Sequence, residues 1–472
     1  MNSPLKIILT HGYFIHEDIK EKSIMRPYPP LGILYLSAWL EKHGIDHEVF
    51  DTTFSSKEVF YNFLDQEKPD IIPIYTNLMT KINVVGMIKY IKENPALLHA
   101  TIVLGGPDVT YNIENYLAAG SDILVIGEGE QTLLEIVQTI QKGNRTEFGH
   151  ISGLAYKDQN GNIIKTEARK RIRPVDDIPF PNRHKIDYHQ YLDTWKKHHG
   201  QSTVSVSTQR GCPYTCNWCS TAVYGQSYRR RSPEIIVDEL IEIKKQYNPD
   251  SLWFVDDVFT VSHEWLRKFA HEVVRRKAII PFECITRADR MSVEVIDLLK
   301  QAGAFRVWIG AESGSQKIID AMDRRVDVNT VRAMIRLTKK AGIETGTFIM
   351  LGYPGETEED IISTIHHLKD SDPDHFTITL AYPIKGTGLY EAVEHLHNSS
   401  LDWNTSTDRD IDFSRTYSKT YYRYAISRVV NEVHHYKMSI KNKRLSPAAL
   451  KLKLKYKMAS VGMWWEKNKS LS

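Results

Sequence analysis

Cysteine is scarce, with four residues in a chain of 472. A chain this long cannot be held by a disulfide framework of so few thiols. Long apolar runs are missing too. None reaches the roughly 18–20 residues that a spanning helix needs, and residues 1–6 lead into a short strand-like run. The expectation is a cytoplasmic protein, neither secreted nor membrane-spanning. An excess of one charge is also lacking: 61 Lys+Arg against 58 Asp+Glu leave a net +3. No global field then drives nucleic-acid binding or repels an acidic small molecule. With 42% hydrophobic and 25% charged residues, the chain reads as globular, with material for two or three domains.

The first stretch alternates strand-like and helical runs: Lys6–Thr10, Leu31–Lys42, His47–Asp51, Ile71–Tyr75, Thr101–Gly106 and Ile123–Glu128. Such alternation predicts a doubly wound α/β domain of Rossmann type, whose ligand crevice lies at the carboxyl ends of the strands. Polar and glycine-bearing loops fall there: Thr76-Asn77, Gly105-Gly106-Pro107 and Gly127-Glu128-Gly129-Glu130. Glycines let a large ligand approach the backbone, but they equally serve strand-to-helix turns.

A connector follows, with Asp158–Asn162 as a hairpin turn and Pro174, Pro179 and Pro181 as punctuation. A second alternating series begins at Thr203–Thr208 and continues at Ser251–Val255, Phe282–Thr286, Arg306–Ile309, Thr345–Met350 and His375–Leu380. Six strand-helix units predict a partial (β/α)6 barrel with its site at the strands' carboxyl ends. The expected division is 1–145, a connector at 146–199, a barrel at 200–392 and a helical basic and aromatic tail at 393–472.

Three of the four cysteines, Cys212, Cys216 and Cys219, fall within eight residues. Thiolates at this spacing converge on a metal site if the loop wraps around it, and Gly211 and Pro213 suit such a loop. A zinc site needs a fourth ligand, from His198, His199 or Cys284. A cubane iron-sulfur cluster on three cysteines instead leaves one iron open. Cys284 lies in an apolar strand and reads as a small buried hydrophobe.

The run Cys212-Pro213-Tyr214-Thr215-Cys216-Asn217-Trp218-Cys219 resembles the signature of the radical S-adenosylmethionine (SAM) superfamily. Further matches follow the later strands: Asp256-Asp257, Thr286-Arg287-Ala288-Asp289, Gly310-Ala311-Glu312-Ser313-Gly314, Gly352-Tyr353-Pro354-Gly355-Glu356 and Tyr382-Pro383. The first 145 residues look like the cobalamin-binding domain that precedes the barrel in one branch of that superfamily, through Tyr28-Pro29-Pro30, Gly105-Gly106-Pro107 and Gly127-Glu128-Gly129. That branch contains anaerobic magnesium-protoporphyrin monomethyl ester cyclase and radical SAM C-methyltransferases. The Asp-x-His-x-x-Gly motif of some cobalamin enzymes is absent, in keeping with base-off binding.

The resemblance implies a [4Fe-4S] cluster on Cys212, Cys216 and Cys219, whose open iron chelates SAM and releases a 5′-deoxyadenosyl radical. It implies SAM contacts from Trp218, Asp256, Asp257, Arg287, Glu312 and Ser313, although Arg287 and Asp289 equally suit a structural ion pair. It implies cobalamin contacts from Tyr28, Pro30, Thr76, Asn77, Gly105, Gly106, Gly127 and Glu128. The expected reaction is methylation of an unactivated carbon of a small molecule; radical cyclisation or rearrangement, and a non-catalytic cobalamin or iron-sulfur sensor, are the alternatives. The implied electron donor is flavodoxin or ferredoxin, and oxygen sensitivity follows. No residue is assigned to hydrogen transfer.

From Arg415 onward 14 Lys+Arg stand against only Glu432 and Glu466. This tail reads as a helical appendage, with a peripheral membrane or acidic-partner surface as the other reading. Tyr417, Tyr421, Tyr422 and Tyr424 line a substrate entrance or form a helix's packing stripe.

Overall fold

The β-branched and aliphatic runs form strands where the alternation places them. In the computed structural model, which describes residues 5–220, 224–398, 401–441 and 446–469, the expected N-terminal run enters β1 (Ile8–His11); residues 1–4 lie outside the described residues. Next come β2 (Glu48–Phe50), β3 (Ile71–Tyr75), β4 (Thr101–Gly105), β5 (Ile123–Val125), β6 (Leu154–Lys157) and β7 (Ile163–Lys165). They form one sheet in the order β2-β1-β3-β4-β5-β6-β7. The first five strands pair in parallel, and β6 and β7 pair antiparallel. Asp158 shapes the β6–β7 turn by accepting hydrogen bonds from the backbone N–H of Asn160 and Asn162. The connector therefore begins with a hairpin that widens the first sheet.

The chain divides into two units: Met1–Pro213, Ser220–Ser251 and Leu401–Asp410 in one, and Tyr214–Cys219, Leu252–Ser400 and Ile411–Ser472 in the other. The first unit buries apolar side chains on both faces of its sheet. One face gathers Leu9, Val103, Leu133 and Val137, and the other Ile72, Met87, Ile102 and Tyr116. Trp403, far along the chain, returns to pack its ring against Tyr116 at 4.8 Å. This unit also contains β8 (Thr203–Val206), where Ser202 and Thr203 bond Asp250 and Ser251, and the short antiparallel pair β9 (Gln209–Arg210) and β10 (Arg229–Arg230).

In the second unit, the parallel strands β11 (Ser251–Phe254), β12 (Phe282–Thr286), β13 (Ala304–Glu312), β14 (Glu344–Leu351) and β15 (His375–Leu380) lie side by side in chain order. Helices connect them. The helix His263–Arg275 starts at Ser262, whose hydroxyl accepts from the Trp265 N–H, and buries Trp265, Leu266, Phe269 and Val273 along one stripe. Truncating Phe269 to alanine there removes ring contacts to Phe254, Phe259 and Phe282, a loss of about 3–5 kcal/mol for a buried phenylalanine.

Two 23-residue helices, Lys419–Lys441 and Pro447–Lys469, complete this unit. Tyr421, Tyr422, Ala425, Val429 and Val433 are buried at helical spacing. The tail tyrosines Tyr421 and Tyr422 thus belong to a packing stripe, and Tyr417 stacks on Tyr421 at 4.1 Å.

Candidate functional site

The cysteine loop is shaped by backbone geometry at its start and by anchoring along its length. Gly211 adopts φ +81°, and a Cβ there would lie 2.4 Å from the Ser227 carbonyl oxygen. Only glycine fits both constraints. Cys212 is buried, Cys216 half-buried and Cys219 exposed. Around Cys216 the segment is fastened from several sides. The Asn217 N–H donates to the Met322 carbonyl at 3.1 Å, the Leu389 N–H donates to the Asn217 carbonyl at 2.7 Å, and the Cys219 N–H donates to the Cys216 carbonyl at 3.1 Å. Trp218 packs against a core cluster that contains Met322, Met350 and Leu389.

Two guanidinium groups address the Cys216 sulfur. Arg287, at the end of β12, donates from Nη1 to Cys216 Sγ at 3.6 Å, and Arg324 donates from Nη1 at 3.7 Å. Both arginines are buried. Arg287 is held by Asp289 at 2.9 Å, by the Arg324 carbonyl at 2.6 Å and by the Tyr214 ring, whose centroid lies 3.9 Å from Cζ. The Arg287–Asp289 ion pair expected as the structural alternative therefore forms, and the same arginine still reaches the sulfur. Arg324 also donates to the Gly310 carbonyl at 3.0 Å. A Cβ on Gly310 would lie 2.3 Å from Arg324 Nη2, which accounts for glycine at that position.

Carboxylates stand at the ends of β11 and β13. Glu312 ends β13 with φ +64°, where the β13–β14 register shifts. Such a backbone is strained for a residue with a side chain, and strain of this kind concentrates at functional sites. Burial pushes the Glu312 carboxyl above its usual range, opposed by Arg324 and Arg287. Beyond β11, Asp256 is buried, whereas Asp257 reaches solvent from a crowded surround. That crowding, and then the Asp256 charge, push the Asp257 carboxyl upward. The Ser313 hydroxyl is fully buried. It faces Thr364 Oγ1 at 3.3 Å and accepts from the Ser315 N–H at 3.2 Å.

Arg324 and Tyr214 were not singled out from the sequence. Arg324 lies 108 positions from Cys216 and carries no motif; only the fold brings it there. Glu356 closes the motif Gly352-Tyr353-Pro354-Gly355-Glu356. It is fully buried, accepts from the Gly352 N–H at 2.6 Å, and burial pushes its carboxyl up to about 8.

In the first unit, the residues expected at the crevice gather at the ends of β3, β4 and β5. Thr76 is buried, its N–H donating to the Gly105 carbonyl at 2.8 Å and its hydroxyl facing the Tyr116 hydroxyl at 3.2 Å. Asn77 accepts from the Met79 and Thr80 N–H groups. Gly106 has φ +115°, and a Cβ would lie 2.1 Å from the Thr76 carbonyl oxygen. Tyr28 is exposed and rests edge-on against Trp195 at 5.5 Å, and Pro30 caps the helix Leu31–Lys42. Glu128 is buried in an ion-pair network with Arg229 and Arg210 and accepts from the Ile172 N–H. Gly127 and Glu128 also line a cavity of about 350 Å³ with Gly153, Lys165, Arg169 and Arg171. His11, at the end of β1, is tied to Asp51 at 2.9 Å.

Residues 206–368 match the Radical SAM superfamily, and residues 23–137 match the B12 binding domain. An uncharacterized methyltransferase of Pyrococcus horikoshii is 30% identical over 81% of this chain and 82% of its own. The chain belongs to the radical SAM superfamily, in the branch that carries a B12 binding domain. The anaerobic magnesium-protoporphyrin IX monomethyl ester cyclase of Rubrivivax gelatinosus is 25% identical over 80% of this chain and 69% of its own. Among solved structures, the radical SAM methyltransferase TsrM of Kitasatospora setae has a TM-score of 0.68 at 20% identity, covering 83% of this chain and 78% of its own. The cobalamin-dependent enzyme OxsB has a TM-score of 0.75 at 17% identity, covering 98% and 72%. These likenesses support the fold: a doubly wound domain, a partial barrel and a helical tail.

This radical SAM protein is therefore an enzyme that works with a [4Fe-4S] cluster, SAM and cobalamin. The residues present fit the cluster. Cys284 is fully buried in β12, and His199 bonds the Met25 carbonyl at 3.0 Å. A cube takes its thiolates on separate corners, and its negative charge suits two guanidinium groups at one ligand. The first unit fits cobalamin through the close backbone approach that Gly106 permits beside the buried Thr76 at the strand ends.

Proposed function

We propose that this radical SAM enzyme transfers a methyl group from SAM to an unactivated carbon of a small molecule. The observation that carries the reading is Cys216 held at the strand ends beside Arg287, Arg324 and Glu312, in a chain that also contains a B12 binding domain. The methyltransferase relative supports it. When bound, the cluster supplies an electron to SAM, and cobalamin supplies a carrier for the methyl group.

In this reading Cys212, Cys216 and Cys219 hold the cluster, and Trp218 lies against the adenine of SAM. Asp256 and Asp257 accept hydrogen bonds from its ammonium group. Arg287 meets its carboxylate through the second Nη1 hydrogen, since Asp289 and the Arg324 carbonyl take the arginine's Nε and Nη2 groups. Glu312 takes the ribose hydroxyls or the methionyl end, and Ser313 fixes the turn that presents it. Tyr28, Pro30, Thr76, Asn77, Gly105, Gly106, Gly127 and Glu128 form the cobalamin cradle; Glu128 acts by locking the turn through Arg229. The working domains are 1–145, 200–392 and 393–472, with 146–199 connecting them. The electron donor is a flavodoxin or ferredoxin in a reducing cytoplasm, and the tail makes a peripheral contact with a membrane.

Oxidative cyclisation is the second reading, favoured by the cyclase relatives. Methyl-deuterated SAM separates the two. Methylation places the labelled methyl group in a metabolite that accumulates unmethylated in a deletion strain. Cyclisation leaves the product unlabelled.

A further inference from the structure

The helix Pro447–Lys469 has apolar side chains on two faces. Ala449, Ala459 and Met463 are buried, and Gly462 lets the Tyr424 ring of the neighbouring helix approach to where a Cβ would be 2.7 Å away. The opposite face carries Leu450, Leu454, Met458, Val461, Trp464 and Trp465, each between 55% and 67% exposed. At 3.6 residues per turn these six fall within an arc of about 120°. Exposed Lys453 borders one edge, exposed Lys451 and Lys455 border the other, and Lys457 stands within the arc. No acidic residue occurs between Glu432 and Glu466, and among the described residues none of these four lysines is paired with a carboxylate. The helix is anchored near its end by Lys467, which bonds Glu358 at 2.9 Å.

We propose that this face seats the protein on an anionic lipid bilayer, with the helix lying in the plane of the interface. The inference rests on the tail's peripheral membrane contact proposed above and specifies its residues and lipid class. Tryptophans with leucine and methionine suit the boundary between headgroups and acyl chains, and flanking lysines reach anionic headgroups while their stems cover apolar surface. The lysine border selects the occupant. A second copy docked through the same face would set these lysines against their counterparts, a repulsive arrangement, whereas a phosphate-bearing surface complements them. Among the described residues no helix is long and apolar enough to cross a membrane, so the contact is superficial.

The test is co-sedimentation of the full chain with vesicles of phosphatidylcholine alone and of phosphatidylcholine and phosphatidylglycerol in equal parts. Binding is expected only to the anionic vesicles, weakening as salt rises and the screening length falls from about 10 to 3 Å. The doubly substituted Trp464→Ser/Trp465→Ser variant, altered only at exposed positions, should lose binding while keeping its thermal midpoint. Lys453→Glu/Lys457→Glu should reduce partitioning about tenfold or more. Equal binding to neutral vesicles would keep the membrane contact and overturn the lipid class proposed here. No binding to either, or a concentration-dependent dimer that the tryptophan variant abolishes, would overturn the contact itself.

Discussion

Arg324 and Cys216, 108 positions apart, meet with guanidinium Nη1 3.7 Å from Sγ, and Arg287 approaches the same sulfur at 3.6 Å. One thiol of the proposed cluster-binding turn is thereby given two buried cationic donors. Hydrogen bonds and charge near cluster sulfurs raise the reduction potential.

Arg324→Met should shift the cluster potential to more negative values and, because the cluster is then harder for its electron donor to reduce, lower steady-state SAM cleavage about 10–100-fold, the range for groups that support metal ligands. Arg324→Lys should recover part of the potential but not the bond to Gly310. Potentiometric titration followed by electron paramagnetic resonance reads the shift directly; an unchanged potential would count against the assigned role.

Asp257 supplies a pH signature. Its carboxyl is pushed up by its crowded surround and then by Asp256, and the proposed bond to the ammonium group of SAM requires the ionised form. Affinity for SAM should therefore rise as pH passes upward through this raised range. Asp257→Asn should flatten the profile and weaken binding about tenfold or more, as expected for a lost charge-assisted hydrogen bond. Anaerobic calorimetry across pH checks both.

Most strands were legible because their periodicity and β-branched runs are strong, and every strand of the second series appears where alternation placed it. The widening of the first sheet by β6 and β7 was not, because a hairpin signal says nothing about which strand edge it pairs with. The cysteines and the acidic loops were legible as motifs. Arg324 was not, since a side chain brought in from 108 residues away leaves no local pattern. The Glu128 network also depended on partners, Arg210 and Arg229, that only the fold assembles.

Gly106→Ala should unsettle the first unit. Its φ of +115° and the 2.1 Å approach of a Cβ to the Thr76 carbonyl leave no relaxed position for a methyl group. A loss of about 1–3 kcal/mol is expected, with weaker corrinoid retention. Thermal melts and the visible spectrum of cobalamin-loaded protein separate the two effects; an unaltered melt would contradict the strain.

Glu356 gives a stability test. Burial disfavours the charge and pushes its folded carboxyl from an ordinary 4.5 up to about 8. The neutral form's stabilising contribution is fully present below the unfolded value and is lost as pH rises through the folded one. Glu356→Gln, which can still accept from Gly352, should melt several degrees above the parent near about pH 9 and lose that advantage near about pH 4. Parallel melting curves at all pH values would refute it.

The most direct measurement is the nucleoside released when full-length protein, reconstituted anaerobically with iron and sulfide and reduced, is given SAM. Release of 5′-deoxyadenosine should accompany a four-iron cluster and vanish in Cys216→Ala with the fold intact. A cluster whose corners are all ligated by side chains, or a four-iron cluster that binds SAM and releases no 5′-deoxyadenosine, would contradict the assignment.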